Sequence, residues 1–186
     1  GGGGRLRGAG APRQRVGALA DGRKRRGGGF RAAGDRIGRA VELAVANVAA
    51  GGGPFGAVVV GADGSVLAEG QNRVTRDNDP TAHAEVVAIR AACAAIGSFV
   101  LDGATLYASC EPCPLCLSAA LWARIGHVVY AADRHDAARG GFDDREFYEL
   151  FARPRDQWSV TIENSRHPDA ATPFDTWLAH AERTHY

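Results

Sequence analysis

Two short runs constrain this chain more than anything else in it: Thr81-Ala82-His83-Ala84-Glu85 and Pro112-Cys113-Pro114-Leu115-Cys116. Together they offer one imidazole, a carboxylate two residues on, and two thiols spaced C-x-x-C just after a proline. Zinc favours this N/S donor set, and a catalytic zinc keeps three protein ligands with the fourth tetrahedral position left to water. His83, Cys113 and Cys116 are therefore the expected ligands. Glu85, the fourth candidate, is better suited to carry protons than to bind the ion. Any fold for this chain must bring the two runs together.

Each run alone is a weak signal. A C-x-x-C pair also serves redox chemistry or half of a zinc ribbon. A closed structural zinc would want a fourth Cys or His, and Cys93 and Cys110 do not stand at ligand spacing from the pair. Both read as small buried apolar residues. The order of the two runs, each opening a helix-like segment, favours the open site over a structural zinc or a disulfide.

With 186 residues and ordinary apolar content, the chain has enough length for one domain with a real core plus a tail. No stretch of about 18 apolar residues suggests a membrane span. Four cysteines, two of them assigned to metal, do not make a disulfide framework, so a reducing, cytoplasmic setting is expected. Methionine is absent even from position 1, so Gly1 is not expected to be the start of translation. Charge is unevenly spread. Residues 1–33 hold nine Arg or Lys and one acid, Asp21, which leaves thirteen basic and twenty acidic residues for the remainder. A domain that tracks a phosphate backbone shows a basic patch, so this acidic remainder argues against nucleic acid as partner.

Residues 1–33, rich in Gly, Arg and Ala, lack the apolar periodicity to offset their ordering entropy and read as a disordered extension. The run Arg23-Lys24-Arg25-Arg26 reads as part of a solvated tail rather than a nucleic-acid contact, and no apolar stretch follows it as an export signal would require. From Asp35, Ile37, Ala40, Val41, Leu43, Ala44, Val45 and Val48 recur at helical spacing up to Gly51. Phe55–Val60 reads as a buried strand, Ala62-Asp63-Gly64 as a turn, and Ser65–Gly70 as the returning strand. A turn-rich loop spans Asp77–Pro80. Thr81–Ile96 is the next helix, with Gly97 as its cap. Thr105–Ser109 is a strand. A helix with Pro114 in its first turn and a stop at Gly126 follows, and then a strand over His127–Ala131. After the Gly140-Gly141-Phe142-Asp143-Asp144 loop come a helix over Arg145–Phe151, a short strand at Val160–Ile162 and a terminal helix over Pro173–Arg183. The alternation predicts a three-layer α-β-α sandwich around a mixed five-stranded sheet. The helix starts that carry the ligands meet at one edge of that sheet.

On these residues the chain resembles the cytidine deaminase-like superfamily, whose H-x-E…P-C-x-x-C signature marks zinc deaminases of nucleobases. Within it the chain is similar to the bacterial guanine deaminases. The likeness covers roughly Asp35 to Tyr186, within a deaminase domain expected over 34–186, and rests on Asp79–Glu85, Ser109–Cys116, Gly141-Phe142-Asp143-Asp144 and Tyr186. It implies hydrolytic deamination of guanine, with zinc on His83, Cys113 and Cys116, and Glu85 as proton shuttle. It also implies that Asn72 binds the purine, that Asp144 meets the amine or a ring N–H, and that Tyr186 reaches into the pocket. Phe55 and Trp122 are candidate stacking walls. A homodimer is implied, with the C-terminal segment (about 155–186) exchanged between subunits. The first two runs are shared with tRNA adenosine deaminases, so that reading stays open, as does a deaminase of cytosine or another small heterocycle. A non-catalytic zinc-binding interaction module also stays open, although it would have no use for Glu85.

Overall fold

The computed structural model describes residues 32–185. Residues 1–31 of the proposed disordered extension, with its Arg/Lys run, and Tyr186 lie outside these residues, whereas the last two residues assigned to that extension, Ala32 and Ala33, open a helix. In chain order the elements are α1 (Ala32–Ala49), β1 (Gly56–Val60), β2 (Val66–Gln71), the short α2 (Val74–Asp77), α3 (Ala84–Ile96), β3 (Thr105–Cys110), α4 (Pro114–Trp122) and β4 (His127–Ala132). Beyond the sheet come α5 (Arg134–Arg139), α6 (Arg145–Ala152), a 3₁₀ turn at Arg155–Gln157 and α7 (Thr172–Ala179).

The sheet runs β2-β1-β3-β4, antiparallel except for the parallel pair β3–β4. Strand alternation sorts β1 between two layers. Val58 and Val60 pack with Tyr107 against Ala40 and Leu43 of α1. Ala57 and Val59 pack with Leu106 against Ala84, Ala88, Ile89 and Ala92 of α3, and Ala120 of α4. Every residue of β1 is buried, as expected for a strand covered on both faces. The three-layer sandwich is as the sequence predicts.

The predicted fifth strand is not formed. Val160–Ile162 has no extended pairing, and Val160 and Ile162 are both more than half exposed. Three apolar residues without a neighbouring edge have no ladder to join. The expected helix over 81–96 begins three residues later, with His83 in the capping position. Likewise α4 ends before Gly126, because Arg124 takes a left-handed conformation (φ 62°). Val45 and Val48, two of the apolar residues at helical spacing, lie on the outer face of α1. All four cysteines are free thiols, and no described helix is long and apolar enough to cross a membrane.

Two glycines let the helices close on the sheet. A Cβ on Gly56 would stand 2.3 Å from the Ala40 carbonyl oxygen, and one on Gly70 only 2.2 Å from that of Ala84. The second approach seats the first turn of α3, which holds Glu85, directly on β2.

Candidate active site

α3 and α4 start at the same end of the sheet. His83 is the N-cap of α3, with Glu85 in its first turn, while Cys113 is the N-cap of α4, with Pro114 next. Cys116, three residues past Cys113, lies on the same helical face and is fully buried.

His83 Nδ1 lies 3.5 Å from the sulfurs of both Cys113 and Cys116, and the two sulfurs are 3.7 Å apart. A tetrahedral zinc with bonds of about 2.3 Å to sulfur and about 2.05 Å to nitrogen requires about 3.8 Å between sulfurs and about 3.6 Å from sulfur to nitrogen. The observed triangle fits zinc within about 0.1 Å. The two sulfurs share a hydrogen bond, which with the neighbouring His83 pulls the Cys113 pKa well below that of a free thiol. Cys113 in turn raises the pKa of Cys116. A thiolate at a helix start is the form a metal takes up. His83 is shifted upward, chiefly by its bond to Cys113.

Glu85 is buried, and desolvation raises its pKa. It lines a cavity of about 520 Å³ together with His83, Cys113, Asn72, Phe55 and Asp144. Asn72 Oδ1 accepts from the Val74 amide at 3.3 Å, which leaves the NH₂ end as the donor for a ligand. Phe55 and Phe142, both on the cavity wall, meet edge to face at 5.0 Å between centroids.

The two acids of the Asp143-Asp144 pair are treated differently. Asp143 holds the Arg145 guanidinium through both oxygens, at 2.7 and 2.5 Å, and its pKa falls to about 2 through that bond. Asp144 Oδ1 is buried with no hydrogen-bond partner, and its pKa is raised, first by burial and then by the charge of Cys113. Asp144 is thus an acceptor held in reserve at the cavity wall.

Trp122 does not join this group. It ends α4, is 63 % exposed and lies under the Arg124 guanidinium at 6.0 Å rather than on the cavity. The sequence reading also missed residues. Phe147 and the Gly51-Gly52-Gly53 loop line the cavity. Behind them Asn47 is completely buried, and its amide donates to the carbonyls of Gly53 (2.8 Å) and Asn72 (2.7 Å). The one available signal was a polar residue placed on the buried stripe of α1 with Ala40, Leu43 and Ala44.

Residues 36–132 match the family model of the cytidine and deoxycytidylate deaminase zinc-binding region. The chain is 50% identical over 149 residues to guanine deaminase of Bacillus subtilis, covering 80% of this chain and 95% of that protein. The X-ray structure of guanine deaminase from Bacillus subtilis superposes with a TM-score of 0.81 at 47% identity, covering 84% of this chain and 99% of that one. The tRNA-specific adenosine deaminase of Agrobacterium fabrum is 49% identical over 79 residues, which is 42% of this chain and 51% of that protein.

Proposed function

We propose, for a chain that belongs to the cytidine and deoxycytidylate deaminase zinc-binding family, that this cavity hydrolyses guanine to xanthine and ammonia. The observation that carries the reading is the buried, unpartnered Asp144 Oδ1 beside Glu85 and the ligand triangle. Guanine presents two donors on adjacent atoms, N1–H and the C2 amine, and an acceptor in that position matches them. Adenine carries no proton on N1, so it would leave Asp144 facing a lone pair. A site that hydrogen-bonds particular ring groups rejects analogues lacking them by large factors.

Zinc on His83, Cys113 and Cys116 supplies the Lewis acidity that brings the pKa of water near neutrality. Glu85, with its raised pKa, takes a proton from the attacking water and passes it to a ring nitrogen as C2 becomes tetrahedral. Asp144 holds the amine, which gains its third proton from the C2 hydroxyl, relayed by Glu85 or Asp144, and leaves as ammonia while C2 becomes a carbonyl. Asn72 orients the ring through its NH₂ donor, and Phe55 with Phe142 excludes water from one wall. The atoms balance: guanine and water give xanthine and ammonia.

The match to a tRNA adenosine deaminase covers 42% of this chain against 80% for the guanine deaminase, and the acidic balance beyond residue 33 supports a small-molecule substrate over RNA. A cytoplasmic homodimer belongs to the same reading. Val160, Ile162, Phe174 and Leu178 are each at least half exposed, and a C-terminal segment exchanged between subunits would cover them and carry Tyr186 toward the partner's cavity.

The test is ammonia release by the zinc-loaded protein from guanine, cytosine, adenine and adenosine in an anticodon-loop RNA. Release from guanine alone is expected. Release only from another substrate overturns the guanine reading and keeps the deaminase.

A further inference from the structure

Beyond a bond back to its own amide, the Asp144 carboxylate has little to set its position. Its Oδ1 is unpartnered, and as the N-cap of α6 its side chain makes no capping hydrogen bond. Something else must hold this carboxylate against the cavity. Four residues on, the Tyr148 hydroxyl donates to the Pro112 carbonyl at 2.5 Å. Pro112 is buried and immediately precedes the ligand Cys113.

The Tyr148 ring is itself gripped. The Arg134 guanidinium stacks 3.9 Å from the ring centroid. The same guanidinium makes a two-point ion pair with Glu111, Nε to Oε2 at 3.0 Å and Nη2 to Oε1. The Arg134 backbone amide donates to Glu111 Oε2 at 3.1 Å as well, and the Glu111 amide donates to the Ala132 carbonyl at 2.8 Å. Arg134 cannot slide without breaking a planar fork, which makes it a rigid plate for the tyrosine ring. Glu111, Pro112, Arg134 and Tyr148 thus form one continuous brace from the start of α4 to the middle of α6.

We infer that Tyr148, backed by Arg134 and Glu111, is a positioning residue that fixes the Asp144 carboxylate relative to the Cys113 end of the site. The inference rests on the deaminase reading for its kinetic test but not for its structural one. Neither Tyr148 nor Arg134 lines the cavity, so both act through Asp144 and not on the substrate. Tying α6 to the residue before a ligand makes the distance from the acid to the metal site a local quantity, spanned by one side chain.

The experiment is a double-mutant cycle on the zinc-loaded full chain with Tyr148→Phe, Asp144→Asn and both together. Tyr148→Phe removes one oxygen and keeps the ring under Arg134. It should keep one zinc per chain and lower kcat/KM for guanine roughly tenfold, the value of one lost hydrogen bond. In the Asp144→Asn background the same change should cost less than about twofold, because there is no acid left to position. An equal loss in both backgrounds, or no loss in either, overturns the inference. Hydrogen exchange supplies a readout without substrate: amides of residues 144–152 should exchange faster in Tyr148→Phe while those of α3 keep their rates. Unchanged exchange in α6 also overturns it. If the parent protein deaminates another base, the guanine reading fails and the cycle is read on that base. If it deaminates none, exchange alone decides.

Discussion

His83 and Cys113 occupy the same position in two different helices. Each is the N-cap residue, each has extended backbone (φ −66°, ψ 153° and φ −65°, ψ 169°), and neither side chain caps its helix. The side chains turn instead toward each other and meet at 3.5 Å. A capping side chain contributes about 1 kcal/mol, so the pair forgoes on the order of 2 kcal/mol in local helix stability. Two bare helix ends are thereby aimed at one point, where their N–H groups favour thiolate and developing negative charge.

Removal of zinc should therefore be felt as a loss of stability as well as activity. A ligand at about a thousand times its Kd contributes about 4 kcal/mol. Scanning calorimetry with a chelator should show a fall of several degrees in Tm, reversed by added zinc, together with reversible loss of ammonia release. An identical Tm in both states would contradict a metal bound at this triangle.

Glu85→Gln should keep its zinc and its Tm. Deamination should fall by about a hundredfold to about ten-thousandfold, the usual worth of a positioned acid–base group. Ammonia release at saturating guanine, with metal content measured on the same sample, checks this. Full activity would remove Glu85 from the proton path.

Asp144→Asn and Asp143→Asn should part company. The first loses the unpartnered cavity acceptor and should lower kcat/KM at least about tenfold, as for a hydrogen bond involving a charged group. The second breaks an exposed pair with Arg145 and should stay within about threefold of the parent. Equal effects would mean that the two acids share the role.

Asn47→Ala should act on binding from behind the cavity. It strips the donor from the buried carbonyl of Asn72, at about 1–3 kcal/mol for the group left unpaired, and one of two donors from the Gly53 carbonyl, which keeps the Phe55 amide. Urea denaturation should register the loss. Kinetics should show KM for guanine rising more than kcat falls, since Asn72 would still be present but no longer held. A stability loss with unchanged KM would confine Asn47 to a packing role.

The parts of the site that were legible in the sequence are those whose chemistry is local. His83, Glu85, Cys113 and Cys116 sit within a turn or two of helix starts marked by prolines, and their spacing alone puts them on common faces. Asn72 and Asp144 were reached through likeness to a family; Asp143 and Asp144 both line the cavity, and which of them keeps a free acceptor there became visible only once Arg145 was seen to hold the first. Asn47, Arg134 and Tyr148 were not legible because their partners lie far along the chain. Gly53, Asn72, Glu111 and Pro112 carry no mark that they will receive these bonds. Val160–Ile162 misled for the opposite reason: β-branched residues favour strands, but a strand exists only where another edge is free to pair with it.

The turn at residues 61–64 lies at the far end of β1 from Phe55 and the glycine loop of the cavity. Five residues of strand separate them, about 17 Å at the usual rise. The turn is exposed and tied down by the Arg36 guanidinium on the Gly64 carbonyl. That makes it an anchoring point for engineering: a linker, affinity tag or fluorescent reporter spliced between Asp63 and Gly64 would sit on the opposite pole from the chemistry and leave both helix starts undisturbed.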